Sequence, residues 1–129
     1  RVLNETEVVV DMPAQCPEIV VSMTVKRHLI MLFKEVVHNC ARHAQATQVH
    51  VAFTITSGHL AIRFEDNGCG FDFGSATPGW GLFNMRERAK EMRGNVELTS
   101  RPGSGTTVLL RIPMESLSRE PSNAYSTSN

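Results

Sequence analysis

Glu65, Asp66, Asn67, Gly68, Cys69, Gly70 and Phe71 follow a strand-like run over residues 60–64, and a segment containing Gly, Ser and Pro comes next. A short acid, an amide and two glycines one residue apart are poor core material. They suit a place where the chain leaves a sheet and its backbone must approach a ligand closely, because glycine lacks the Cβ that would hold the ligand away. An ordinary turn uses the same residue types, so the stretch gains meaning only from its companions. An ionised carboxylate accepts hydrogen bonds and donates none. Asp66 is therefore suited to choose a base that presents an amine, as adenine does, over one that presents a carbonyl there, as guanine does. A buried polar group left unpaired costs about 1–3 kcal/mol.

Three further clusters accompany it. Glu35 and Asn39 are four residues apart, one turn above each other on a helix face, and Arg42 and His43 continue that face. A carboxylate and an amide oxygen are hard ligands suited to magnesium or its bound water, and a guanidinium suits phosphate. The polar side of any amphipathic helix offers the same residues. Gly79, Trp80, Gly81 and Leu82 lead into a second helix. Such glycines leave amide donors and the positive end of the helix dipole facing outward, an anion site. A glycine loop anchored by Trp80 explains them equally well, and no Lys-Ser or Lys-Thr pair follows, so this is not the P-loop pattern. Last come Gly103, Ser104, Gly105, Thr106 and Thr107, a turn between strands whose threonine hydroxyls could reach a base or an ordered water near Asp66.

The chain that must position these groups has 129 residues, enough for one domain with a real core. Thirteen basic side chains balance thirteen acidic ones, which argues against a nucleic-acid footprint. Cys16, Cys40 and Cys69 share no metal-ligand spacing, and their odd number fits a reducing compartment better than a disulfide framework. The longest mainly apolar run, residues 29–33, is far short of a membrane span, and the start has no signal-peptide pattern. Opening on Arg1 suggests a piece of a larger protein, whose upstream part could be sensory or transmembrane.

β-Branched and apolar residues over 6–12 predict a strand stopped by Pro13, followed by a connector over 14–21. Ser22 is the expected N-cap of a long helix, because Val25, Leu29, Leu32, Phe33, Val36, Cys40 and Ala44 recur at three- and four-residue steps. Val49, Val51, Phe53 and Ile55 alternate, Ser57 and Gly58 turn the chain, and Leu60, Ile62 and Phe64 alternate again: a hairpin with one buried face. Residues 71–79 read as a loop. Leu82, Met85, Ala89 and Met92 stripe a second helix, with Gly94 expected as its left-handed cap. Val96 and Leu98, then Val108, Leu110 and Ile112, form a last pair of strands. Residues 1–114 are thus expected to be the domain and 115–129 a disordered tail. Strand pairs alternating with helices predict an α+β two-layer sandwich, a mixed sheet with helices on one face.

Lys34-Glu35-Val36-Val37-His38-Asn39-Cys40-Ala41-Arg42-His43-Ala44 resembles the N box of the ATPase superfamily that groups gyrase, Hsp90, histidine kinases and MutL. Asp66 to Phe71 is similar to its first glycine box, Gly79 to Arg88 to its second, and Gly105-Thr106 to its closing threonine motif. The likeness spans residues 6–113. Gly-Leu-Phe-Asn-Met-Arg-Glu-Arg and the short 71–79 linker resemble the sensor histidine kinases of the nitrate-sensing and DesK-like branch. The resemblance implies a Bergerat-type fold that binds ATP with magnesium. Asn39 would hold the metal, Glu35 would lie beside it and its waters, Arg42 would face phosphate and His43 the adenine. Asp66 would take the adenine amine, while Gly68 and Gly70 would let the backbone close over the nucleotide. Residues 71–79 would be the lid, Gly79, Gly81 and Leu82 would lie near the phosphates, and Thr106 would sit behind the base. The implied partners are a dimerisation and histidine-phosphotransfer domain absent from this chain and a downstream response regulator. The implied location of this fragment is the cytoplasm, with anchoring of its parent in the inner membrane left open.

Lys34 stands where the branch usually has arginine, and His38 and Cys40 are unusual neighbours for Asn39. No His-Asp acceptor motif occurs, and all five histidines fall within the nucleotide domain. The fragment is therefore expected to bind ATP or ADP without phosphorylating itself. Two rivals remain: a stand-alone ATPase of the gyrase or Hsp90 kind, with Glu35 as general base for water, and a non-catalytic nucleotide- or protein-binding module.

Overall fold

The structure, a computed structural model, describes residues 7–14, 18–43, 47–68, 82–101 and 103–119, apart from the side chains of residues 40–43. Its elements run β1 (Glu7–Asp11), α1 (Met23–His43), β2 (Gln48–Thr56), β3 (His59–Asp66), α2 (Leu82–Glu91), β4 (Asn95–Ser100) and β5 (Thr106–Pro113), then a short 3₁₀ turn, Met114–Ser116. Among the described residues, five strands form one sheet in the order β1-β2-β3-β5-β4. β1 pairs with β2 in parallel, and the remaining pairs are antiparallel. The mixed sheet with its two helices is the α+β sandwich expected from the sequence.

Local chemistry explains the boundaries. Ser22 Oγ accepts the Val25 amide at 3.1 Å, satisfying one of the orphan donors at the start of α1. Ser57 and Gly58 both have positive φ (53° and 75°), the two-residue turn whose twist matches a hairpin. α2 ends in a Schellman pattern: the Arg93 amide donates to the Lys90 carbonyl and the Gly94 amide to that of Ala89. Here the expectation for Gly94 needs correction, because Arg93 is the left-handed residue, with φ 60°. Gly94 is required for a different reason. A Cβ there would collide with the Arg111 carbonyl where β4 starts beside β5.

Register places the apolar sides of all the antiparallel strands on one face. Val51 opposes Phe64, Phe64 opposes Val108, and Val108 opposes Leu98. Val25, Leu32 and Val36 of α1 and Met85 and Ala89 of α2 complete that buried cluster. Each of the larger side chains, the valines, leucines, phenylalanine and methionine, contributes about 1.5–3 kcal/mol when fully removed from water. Phe33 packs edge-on against Phe64 with ring centroids 5.7 Å apart, tying α1 to β3.

The domain also extends past its expected end. Leu117, assigned to the tail from sequence, is only 1% exposed and belongs to the core, and Ser116 is buried with it. The Leu117 carbonyl accepts the Ser22 amide at 2.8 Å, so this segment pins the start of α1. A tail without apolar periodicity hides a single anchoring leucine, because periodicity needs more than one residue to register.

His28 of α1 lies against α2. Burial, followed by the positive charge of Arg88, lowers its pKa from 6.5; Glu91 opposes this and Arg27 adds to it. Its Nδ1 is buried with no hydrogen-bond partner. The folded protein thus favours the neutral ring, while the unfolded chain takes up a proton first. The stability contributed is complete above about pH 6.5 and is lost as pH falls toward the lower folded pKa. Thermal melts of wild type and His28→Gln across that window should show a Tm that falls with acidification in the first and is flatter in the second.

Candidate functional site

Along β3 the inward positions read Leu60, Ile62, Phe64 and then Asp66; along β4, Val96, Leu98 and then Ser100; along β5, Thr106 and then Val108, Leu110 and Ile112. Three neighbouring strands therefore change from apolar to polar at the same end of the same face. The helix above does likewise: Val25, Leu32 and Val36 are followed on its buried side by Asn39, 1% exposed. Asn67 explains why these ends coincide. Its Oδ1 accepts the Thr47 and Gln48 amides, both at 3.0 Å, and its Nδ2 donates to Thr47 Oγ1 at 3.0 Å. The residue after Asp66 is thereby fastened to the start of β2, shortly after α1 ends. Asp66 and Asn39 accordingly lie at one end of the sandwich, both in the layer between helices and sheet.

Asp66 is 9% exposed. Its Oδ1 accepts the Gly68 amide at 2.7 Å and the Thr106 amide at 3.2 Å. Its Oδ2 is buried and has no partner. A buried carboxylate oxygen without a hydrogen bond costs free energy and calls for an explanation. Thr106 (2% exposed) shares a 2.9 Å hydroxyl contact with Ser100, whose Oγ also donates to the Gly105 carbonyl at 3.1 Å. Gly105 has φ 78°, and a Cβ on it would strike the backbone carbonyl of Asp66.

On α1 the Asn39 amide donates to Glu35 Oε2 at 3.3 Å, so the expected pair does come together. A neutral amide and a carboxylate in contact are a donor set that fits magnesium, which binds one or two protein oxygens and otherwise keeps waters and phosphate oxygens. Arg42 and His43 lie in the last turn of α1. Leu82 is the first residue of α2, half-buried and packed on the core. Gly70, Gly79, Gly81 and the expected lid over residues 71–79 lie outside the described residues.

Ser100, Gly105 and Asn67 carry no individual role in the reading from sequence. Ser100 is detectable there, as a polar residue in the apolar phase of a strand. Asn67 is not, because its partners lie about twenty positions upstream.

A family model described as "Histidine kinase-, DNA gyrase B-, and HSP90-like ATPase" matches residues 24–116. Sensor protein VraS of Staphylococcus saprophyticus is 32% identical over 92% of this chain and 36% of its own length. Sensor histidine kinase LiaS of Bacillus subtilis is 31% identical over 81% of this chain and 29% of its own. The solved ATP-binding domain of PrrB from Mycobacterium tuberculosis superposes with a TM-score of 0.65 over 84% of this chain and 80% of that one, at 20% identity. The chain spans about a third of the length of these curated relatives.

Fold and family together define an ATP-binding domain built as a two-layer α+β sandwich. The chain belongs to the histidine kinase-, DNA gyrase B- and HSP90-like ATPase family, and within it this is a domain of the histidine-kinase type, similar to those of the sensor kinases.

Proposed function

We propose that this chain binds ATP with the adenine amine on Asp66 and the phosphates toward α1, and delivers the γ-phosphoryl group to a histidine on a dimerisation domain outside the chain. The observation that carries this reading is the buried, partnerless Asp66 Oδ2 at the polar end of an otherwise apolar core. Gly68 and Thr106 hold the other carboxylate oxygen and so fix the direction of the vacant one. Asn39 would hold magnesium, which neutralises phosphate charge when bound, and Glu35 would lie beside the metal and its waters. Arg42 and the glycines before α2 would face the phosphates, His43 would lie against the base, and residues 71–79 would cover the nucleotide. These residues act by positioning and by electrostatics, which is what a loose phosphoryl-transfer transition state asks of a protein. The sensor-kinase relatives support a response regulator as the downstream partner. No helix among the described residues is long and apolar enough to cross a membrane.

Calorimetric titration with ATP and magnesium should give heat and a ligand-dependent rise in Tm. Radiolabelled ATP should leave the isolated chain unlabelled and label an added dimerisation domain. No heat and no thermal shift would overturn nucleotide binding, while label on the chain itself would overturn the missing-acceptor half. The Glu35–Asn39 contact also keeps a second reading in view, with Glu35 as general base for water. That reading requires steady phosphate release that Glu35→Ala abolishes.

A further inference from the structure

We infer that Asn67 is a positioning residue that sets the spacing between the two halves of the nucleotide site: the carboxylate of Asp66, which would hold the base, and the last turns of α1, which would hold metal and phosphate. The inference rests on the nucleotide reading above and gives a role to a side chain whose oxygen is already filled by protein donors.

Burial holds α1 against the sheet without specifying a direction. Hydrogen bonds do specify one, and Asn67 makes four of them to two consecutive residues. Its Oδ1 accepts the amides of Thr47 and Gln48, each at 3.0 Å, and its Nδ2 donates to Thr47 Oγ1 at 3.0 Å. Its own amide donates to the Gln48 carbonyl at 3.2 Å. Two backbone amides converging on one atom identify that atom as the oxygen, so the main chain itself fixes which way the side chain faces. The Thr47 carbonyl in turn accepts the Glu7 amide at 2.8 Å, which brings the start of β1 into the same junction.

Both halves of the site hang from this junction by short tethers. On one side Asp66 precedes Asn67 and Gly68 follows it. The Gly68 amide donates to Asp66 Oδ1 at 2.7 Å, so the clasp that aims the carboxylate closes across Asn67. On the other side α1 ends at His43, and the chain from there to Thr47 spans at most about 14 Å. Arg42 and His43 lie in that last turn, and Asn39 lies one turn earlier. The β2–β3 register ends at Val49 and Asp66, so the Asn67 bonds carry the connection past the last strand pair. A ligand held at both ends gains from the second contact only when the spacing of the two matches its length. Removing the Asn67 side chain leaves Asp66 and Asn39 in place and releases the spacing between them.

The probes are adenosine, which engages the base half alone, and ATP with magnesium, which engages both halves. Dissociation constants are measured for wild type, Asn67→Ala, Thr47→Val and Thr47→Ser, by calorimetry for ATP and by NMR titration for adenosine, with thermal melts alongside. We expect Asn67→Ala to weaken ATP with magnesium about tenfold and adenosine by less than about twofold. Thr47→Val removes one acceptor with almost no change of shape. It should weaken ATP about threefold and leave adenosine unchanged, and it serves if the alanine variant fails to fold. Thr47→Ser keeps the hydroxyl and should keep the wild-type ratio of the two constants. A merely structural asparagine would lower Tm and weaken both ligands by the same factor. An unchanged ratio in Asn67→Ala or Thr47→Val, or a shifted one in Thr47→Ser, therefore overturns the inference alone. Absence of ATP binding by the wild-type chain would overturn the reading beneath it and the inference with it.

Discussion

Asp66→Asn is expected to weaken ATP binding by about 10- to 200-fold while leaving thermal stability nearly unchanged. The asparagine Oδ1 can still accept the Gly68 and Thr106 amides that now hold the carboxylate. What changes is the other terminal atom. The buried Oδ2, partnerless in the protein alone, becomes an NH₂ group, so a donor faces the donor it should receive. Stability gains from losing a buried anionic oxygen and loses little, the pattern of a residue kept for function at some cost to the fold. Calorimetry and a melt on the same sample decide the matter. If affinity survives, Asp66 is not the base selector; if the fold collapses, its hydrogen bonds are structural in the first place.

The second large effect is a contrast between two glycines of one turn. Gly103 and Gly105 both have positive φ, 81° and 78°. Around Gly103 a Cβ would meet nothing within 4 Å, so Gly103→Ala should cost about the 1–2 kcal/mol of the backbone conformation alone, with nucleotide binding retained. At Gly105 the same methyl group runs into the Asp66 carbonyl and approaches its Oδ1 at 3.4 Å. Backbone cannot rotate aside as a side chain can, so the end of β3 or the start of β5 must shift. Gly105→Ala should therefore cost about 2–5 kcal/mol, lower Tm by about 10 °C or more, and weaken nucleotide binding by displacing Asp66. Equal effects at the two positions would mean that the close approach at Gly105 is relaxed in solution.

Much of the fold and part of the site are legible in the sequence. Helix α1 is readable because seven apolar residues from Val25 to Ala44 recur at helical steps, and Ser22 caps it as expected. The hairpin β2–β3 is readable because alternation and a Ser-Gly turn coincide. Glu35 and Asn39 can be paired because four residues of helix leave no other arrangement, and they are in contact. The misreadings have local causes too. Residue type alone points to Gly94 as the left-handed cap, whereas the chain puts Arg93 there and uses Gly94 to pass beside Arg111. Leu117 is hidden in a polar tail because one buried residue has no period.

Spacing within one element is enough to specify the stripe of α1, the alternation of β2, β3 and β5, the turn at Ser57-Gly58, and the residue types able to hold an amine, a metal and a phosphate. Strand order, by contrast, emerges from the assembled sheet. β5 lies between β3 and β4, so Asp66, Thr106 and Ser100, distant along the chain, finish in one polar row. Asn67 then ties that row to the exit of α1, where Asn39 is buried. The physical reason is that local periodicity specifies which side of an element is apolar, whereas the side's neighbours follow from packing, in which each contact is set by the whole sheet at once.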